Sequence, residues 1–320
     1  MRTALRERRS CLRSLNRRRS QAGGSHGFEG NRKPPRNRRS RRQSFQANRL
    51  TSQLDILAKR NLATLANFAC SNVLLGFDYD GTLAPIVSNP AHASMRAATR
   101  RLLARVAKRY PCVVISGRSR DDIARRVKGV SLWQVFGNHG FEPWESSAGA
   151  LALVGEWVRQ LQARLSGCDG IVVEDKKYSV TVHYRQARMK AQALGTIVKA
   201  VRNLPNVRVR SGDEAVNLTV CDGPDKGIAL QRARSVLACE TAIYVGDNGT
   251  DEDAFASGPQ DQLLAVRVGA SRSSRAGYCL KSQADIDRFL SSLLVLRSSI
   301  ADRMISTASL IRRRARRATK

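Results

Sequence analysis

The sequence predicts an α/β fold, a doubly wound parallel sheet carrying an inserted α+β unit, and three observations support that prediction. Short apolar runs, "VLLGF" (73–77), "PCVVIS" (111–116), "TAIYVG" (241–246) and "LLAVRVG" (263–269), alternate with stretches of helical period. Strands alternating with helices build a parallel sheet with helices on both faces. Three of these runs end in groups capable of chemistry: Asp78 and Asp80, Ser116, and Asp247. In open parallel sheets, ligands sit at the carboxyl ends of the strands. Between about 150 and 220 the pattern changes to helix–strand–strand, twice over, with alternating strands. That describes an antiparallel sheet covered on one face.

The elements follow in order. "RRRSQAGGSHGFEGNRKPPRNRRSRRQSF" (17–45) has no hydrophobic period, cannot bury enough apolar surface to offset its ordering entropy, and is expected to be disordered. Three functional readings compete with a solvated tail. The segment is rich in Arg and Ser like an organelle transit peptide, and its arginines suit phosphate backbones. The third is a start site placed too far upstream, although the first internal methionine, Met95, already lies beyond the aspartate pair. "DILAKRNLATLANFA" predicts a helix from residue 55, before the strand 73–77. "SMRAATRRLLARVAKR" predicts another, with Ser94 as N-cap and Leu102, Leu103 and Val106 on one face. After "PCVVIS", "DDIARRV" opens a short helix with acids in its first turn. The middle stretch gives a helix near 150–166, strands "IVVED" and "YSVTVHYR", a helix at about 187–203, then strands "VRVR" and "AVNLTV". Helix "KGIALQRARSVLA", strand "TAIYVG", helix "DEDAFA", strand "LLAVRVG" and helix "QADIDRFLSSLL" complete the series. The expected organisation is a basic tail (1–54), a core in two parts (55–143 and 222–296), an insert (144–221) acting as a lid, and a second basic tail (297–320).

Composition narrows the function. The net charge is +30, but residues 1–50 hold 16 basic residues against 2 acids, and residues 297–320 hold 8 against 1. The stretch between them is only mildly basic. Aromatic residues make up 5%, and no basic patch there is interleaved with aromatics. A nucleic-acid-binding protein, the alternative from another class, is therefore weakly supported, although the tails could touch polyanions non-specifically. Seven cysteines, odd in number and without a CxxC pair, argue against a disulfide framework or structural zinc and fit a reducing cytoplasm. No apolar run approaches the ~20 residues of a membrane helix. Nothing in the sequence specifies an oligomer, so a monomer is the default.

The chemistry gathers at the strand ends. Two carboxylates one residue apart, Asp78 and Asp80, can divide a phosphoryl transfer between nucleophile and acid/base. Gly81 permits the tight turn, and successive N–H groups there can hold phosphate oxygens. The alternative is a plain Asp-Gly hairpin turn, for which "TLAPIVSNP" is a poor following strand. Ser116 can bond a phosphate oxygen or sit in a helix N-cap region. Lys226, at a helix start, can be a phosphate ligand or a solvated surface lysine. Asp247 and Asp251 can hold a cation or make an acidic first turn capped by Thr250. The last stretch fails as an EF-hand, and no Walker motif occurs. Asp78, Asp247, Asp251 and a phosphate in one cleft would repel by roughly 4 kcal/mol per unit pair at 4 Å. Oxygen ligands beside phosphate point to Mg²⁺.

These residues, in this order, resemble the four motifs of haloacid dehalogenase-superfamily phosphatases. "FDYDGTLAPI", "ISGRSRDDI", "GNHGFE", "EDKKYSVTVHYR", "PDKGIAL" and "GDNGTDEDAF" resemble trehalose-6-phosphate phosphatases more narrowly, over about 70–295. The resemblance implies a Rossmann-like core of that superfamily's type with an inserted α+β cap. It implies Mg-dependent hydrolysis of trehalose 6-phosphate through an aspartyl-phosphate. Asp78 is then nucleophile and Asp80 acid/base. Mg²⁺ is held by the Asp78 carboxylate, the Asp80 carbonyl and Asp247, with Asp251 in support. Gly81, Thr82, Ser116 and Lys226 bind phosphate. Glu174, Lys176, Arg185 and Asn217 hold the sugar from the cap, and Arg118, His139 and Glu142 from the core. One stretch departs from the pattern. Where the family's last cap strand reads like Gly-Lys-x-Val-x-Glu, this chain has "GDEAVN", with Asp213 and Asn217 in place of Lys and Glu. Another phosphorylated sugar is therefore the first alternative substrate.

Overall fold

The structure is a computed structural model that describes residues 53–298, apart from 88, 145–146 and 213. The segments 1–52 and 299–320, with the disorder expected of them, and Asp213 lie outside the described residues. The chain opens with β1 (Leu54–Asp55), α1 (Leu62–Cys70), β2 (Val73–Phe77), α2 (Ala97–Ala107), β3 (Cys112–Ile115), α3 (Arg120–Arg126) and β4 (Gln134–Phe136). A middle group comprises α4 (Ala148–Arg164), β5 (Val172–Asp175), β6 (Ser179–His183), α5 (Lys190–Val201), β7 (Val207–Gly212) and β8 (Ala215–Val220). The last group is α6 (Lys226–Val236), β9 (Thr241–Gly246), α7 (Glu252–Phe255), β10 (Leu263–Val268), β11 (Tyr278–Leu280) and α8 over 286–298.

Seven strands form one parallel sheet in the order β1-β11-β10-β9-β2-β3-β4. All five residues of β2 are buried, as a strand covered on both faces requires. From β2 the chain runs outward to β3 and β4, then returns on the other side of β2 as β9. The carboxyl ends of β2 and β9 therefore lie side by side at the switch point, with Phe77 in register with Val245. Gly76 permits that pairing. A Cβ there would come within 2.8 Å of the Tyr244 ring and 2.9 Å of Leu230.

The four middle strands form an antiparallel sheet in the order β5-β6-β8-β7. The period of two sorts its side chains. Val180, Val182, Val216 and Leu218 pack on Trp157, Leu161 and Ile197 of α4 and α5. Thr181, His183, Ala215 and Asn217 face the other way, into a cleft of about 620 Å³ over the parallel sheet's carboxyl edge. Polar and aromatic contacts join the two sheets. Ser179 Oγ donates to Asn138 Oδ1 at 2.9 Å, the Tyr178 ring stacks on Phe141 at 4.5 Å, and Arg210 Nη2 bonds Asp253 Oδ1 at 2.6 Å.

Some sequence expectations change. The predicted helix starts late: residues 55–58 form a turn, in which Asp55 Oδ1 accepts the Leu57 amide at 2.9 Å, and Lys59–Asn61 is a single 3-10 turn leading into α1. Ser94 is not the cap of α2. That helix starts after Arg96 without a side-chain cap, and Ser119 and Asp225 cap α3 and α6 instead. The short strands β1, β4 and β11 carried too few residues for a period to show. Arg297, placed in the C-terminal tail by its charge, lies 4.7 Å over the Tyr110 ring and bonds the carbonyls of Ala69 and Ser71. Among the described residues no helix is long and apolar enough to cross a membrane.

Candidate active site

Asp78 directly follows β2, is 2% exposed, and is held by its own amide, which donates to Val245 O at 2.9 Å. Lys226, the first residue of α6, reaches it from below. Its ammonium lies 2.9 Å from Asp78 Oδ1 and 2.8 Å from Asp251 Oδ1. Burial works against that charge, but Asp251 and Asp78 outweigh it and hold Lys226 protonated well above the ordinary lysine range.

Asp251 is saturated. Besides Lys226, the Tyr244 hydroxyl donates to its Oδ1 at 2.8 Å, and the amides of Asp247 and Asn248 donate to Oδ2 at 3.0 Å each. These four bonds use the acceptor sites of one carboxylate. Gly246 makes the approach possible, since a Cβ there would stand 2.3 Å from Asp251 Cγ. Carboxylate oxygens of Asp78, Asp247 and Asp251 lie within 4.8 Å of one another, an all-oxygen cluster of the kind that hard divalent cations occupy. With Asp251 committed to its four donors, Asp78 and Asp247 are the carboxylates left to bind one. Burial raises the Asp78 carboxyl to about 7 despite Lys226, and burial with the neighbouring Asp78 and Asp251 charges lifts Asp247 well above the usual range. A divalent cation held by these two carboxylates would relieve that repulsion.

Asp80 stands just past the strand, and its carboxylate is gripped by Arg118: Nε to Oδ2 at 2.7 Å and Nη2 to Oδ1 at 2.8 Å. Arg118, expected as a sugar contact, therefore carries a carboxylate on its fork. His139 does line the cleft. Its backbone is left-handed (φ 60°), and both ring nitrogens are buried without a hydrogen-bond partner. Burial first, then the charges of Lys226 and Lys176, push its pKa well below the histidine norm, so the ring is neutral.

Four expected residues do not reach the cleft wall. Gly81 (φ 80°) makes the tight turn as expected, but its N–H donates to Ala84 O at 2.8 Å, and the Thr82 amide points to Tyr79 O at 3.3 Å. The turn thus closes on itself instead of offering both amides to an anion. Gly81 serves by its missing side chain: a Cβ would come within 2.1 Å of Asp247 Oδ2. Thr82 is fully buried, and Ser116 is 1% exposed with its Oγ accepting the Arg118 amide at 3.2 Å. Glu142 Oε2 accepts from Arg120 N at 2.8 Å and Asn138 Nδ2 at 2.9 Å, which ties two loops together.

The antiparallel sheet brings Glu174, Lys176, Arg185 and Asn217 to the opposite wall. Lys176 Nζ lies 3.4 Å from Glu174 Oε2, and Arg185 Nη1 reaches across to Val87 O at 2.9 Å. Asn217 lines the cleft, where its Oδ1 accepts the Thr181 hydroxyl at 2.9 Å. Sequence reasoning missed His183, whose Nε2 is 2.8 Å from Glu174 Oε2, and Tyr244. Both had a signal. His183 shares the period-two face of Thr181, and Tyr244 is a polar-tipped ring in a buried strand, which needs a partner.

The family profile of trehalose-phosphatase matches residues 76–284. A trehalose-phosphate phosphatase of Mycobacterium ulcerans is 33% identical over 231 residues, which cover 67% of this chain and 59% of that protein. The Mycobacterium tuberculosis protein of the same name is 33% identical over 233 residues, with the same coverages. The match thus spans 59% of the length of these relatives. Among solved structures, the C-terminal domain of a Candida albicans trehalose-6-phosphate phosphatase superposes with a TM-score of 0.64 at 21% identity, covering 77% of this chain and 98% of that one. An Aspergillus fumigatus trehalose-6-phosphate phosphatase gives a TM-score of 0.51 at 26% identity, with coverages of 74% and 97%.

Proposed function

Because the chain belongs to the trehalose-phosphatase family, we propose that it hydrolyses trehalose 6-phosphate to trehalose and inorganic phosphate. One observation carries the reading. A buried aspartate beside a buried lysine, Asp78 and Lys226 at 2.9 Å, lies in a cleft whose lining also includes Glu174, Lys176, Arg185 and Asn217. In the first step an Asp78 oxygen attacks phosphorus, the bond from phosphorus to the sugar oxygen breaks, and the Asp80 carboxyl gives that oxygen its proton. In the second, water attacks the aspartyl-phosphate, its proton passes to Asp80, and the bond to Asp78 breaks, which regenerates the enzyme. Lys226 neutralises charge on the phosphoryl group and on Asp78 throughout.

We take the cation to be Mg²⁺, held by the carboxylates of Asp78 and Asp247 and the Asp80 carbonyl. When bound, it neutralises the transferring group and fixes its orientation. Residues 144–221 are read as the cap and 55–143 with 222–296 as the core. In the cap, Glu174, Lys176, Arg185 and Asn217 bind hydroxyls of the sugar, and neutral His139 offers a donor and an acceptor from the core. None of the six described cysteines is in a disulfide, in keeping with a reducing cytoplasm. Asn217, already bonded to Thr181, favours a second reading, in which a different phosphorylated sugar fits better.

The test is phosphate release with Mg²⁺ across a panel of sugar phosphates, with p-nitrophenyl phosphate as generic ester. Highest kcat/KM for trehalose 6-phosphate supports the first reading. A preference of about tenfold or more for another sugar phosphate moves the substrate and leaves the reaction class standing. No release from any ester refutes both.

A further inference from the structure

We infer that Arg118 is a positioning residue for Asp80, fixing that carboxylate for proton transfer, and not a sugar-binding group. The inference rests on the phosphatase reading above. Asp80 sits beyond the strand edge, where a short side chain would otherwise sample several rotamers. Two parallel bonds from Nε and Nη2, at 2.7 and 2.8 Å, fix both of its torsions at once, which a lysine could not do.

The fork is itself fixed. Arg118 Nη1 bonds Asp122 Oδ2 at 2.8 Å, and Arg126 Nε bonds the same oxygen at 3.0 Å. Arg126 also bonds the carbonyl of Ala91 at 3.1 Å and that of Ala93, both at the rim of the cleft. The backbone of Arg118 is held at each end, its amide by Ser116 Oγ at 3.2 Å and its carbonyl by the Asn138 amide at 2.7 Å. The guanidinium lies 5.9 Å from the ring centroid of Tyr79, the residue between the two aspartates. Each nitrogen of the fork therefore has a carboxylate to hold, and the polar groups assigned to the sugar, His139 excepted, stand on the opposite wall. A carboxylate oxygen has two lone pairs, and the fork takes one from each. One remains on each oxygen, enough for the leaving sugar oxygen in the first step and for water in the second, without any movement of Asp80.

A double-mutant cycle tests this on the full chain. Arg118→Met, Asp80→Ala and the pair are assayed for kcat and KM, with trehalose 6-phosphate or, should that not be the substrate, the best ester of the panel. Wild-type inactivity on the whole panel would refute the function and not this assignment. Arg118→Met is expected to lower kcat roughly ten- to a hundredfold, the equivalent of one charge-assisted pair, with KM within about threefold. In the Asp80→Ala background it should change kcat by less than about threefold, because its effect passes through Asp80. Arg118→Lys should stay well below wild type. Raised KM with unchanged kcat, equal losses in both backgrounds, or full rescue by lysine would each overturn the assignment. Should Arg118→Met melt below assay temperature, Arg118→Lys carries the same cycle and the same criteria.

Discussion

Removing one oxygen atom, by Tyr244→Phe, tests how the metal loop is held. The ring stays, with its edge contact to Phe255 at 5.8 Å, and the loss is a single hydrogen bond of 2.8 Å to the Asp251 carboxylate. Both residues are buried, so no solvent replaces the missing donor. Bonds to charged groups are worth about 1.5–3 kcal/mol. Asp251 Oδ1 retains Lys226, which places the loss towards the lower end, about 1.5–2 kcal/mol. For a domain of this size that corresponds to a fall of about 3–8 °C in Tm. Tyr110→Phe is the control: its hydroxyl donates to a neutral acceptor, Leu293 O, at 2.9 Å, and should lose only about 0.5–1.5 kcal/mol. Thermal melts by circular dichroism, with and without added Mg²⁺, measure both. Tyr244→Phe melting within 1 °C of wild type, or no lower than the control, would refute the account of Asp251 as a carboxylate held by four donors.

Asp78→Asn should abolish turnover with the melt preserved, and Asp80→Asn should lower kcat about 10²–10⁴-fold; wild-type rates for Asp78→Asn would exclude the proposed nucleophile. Excess EDTA should stop phosphate release and Mg²⁺ restore it, so undiminished activity in chelator would remove the cation from the mechanism. Lys176→Ala should reduce kcat/KM for trehalose 6-phosphate by about ten- to a hundredfold more than for p-nitrophenyl phosphate, which cannot use remote contacts; equal losses would take Lys176 out of sugar binding. Trimming 1–50 and 301–320 should keep kcat/KM within a few-fold while weakening retention on heparin, and a collapse of activity in a folded core would show that the basic segments serve the reaction.

The sequence revealed most where local chemistry and tertiary need agreed. Asp78, Asp247 and Lys226 could be read because each ends or begins an element, and element ends of a parallel sheet converge. The carboxylate that Arg118 holds was not legible, because Asp80 lies 38 positions away in the chain. The phosphate-binding turn was misread for a related reason: whether the Gly81 amide faces a ligand or Ala84 depends on how the turn closes. Tyr244 and His183 act through partners brought together only by packing. Residues 55–58 have a helical spacing but form a turn closed by a side chain–backbone bond at Asp55, and the chain becomes helical only from Lys59.

The inserted sheet enters and leaves the core at neighbouring points. Phe141 precedes it, Gly223 follows it, and a Cβ on Gly223 would lie 3.2 Å from the Phe141 ring. For the chain as it folds, this is a short circuit. Pairing β2 with β9 closes a long loop, but an inserted unit that has already folded draws its two ends together and removes about half of it. Because loop-closure entropy grows only with the logarithm of length, that halving is worth only about 0.6 kcal/mol. Strands β2 and β9 can therefore find each other almost equally well whether the insert is ordered or still a coil. An insertion at this point can lengthen, shorten or change its surface with little consequence for the assembly of the sheet beneath it.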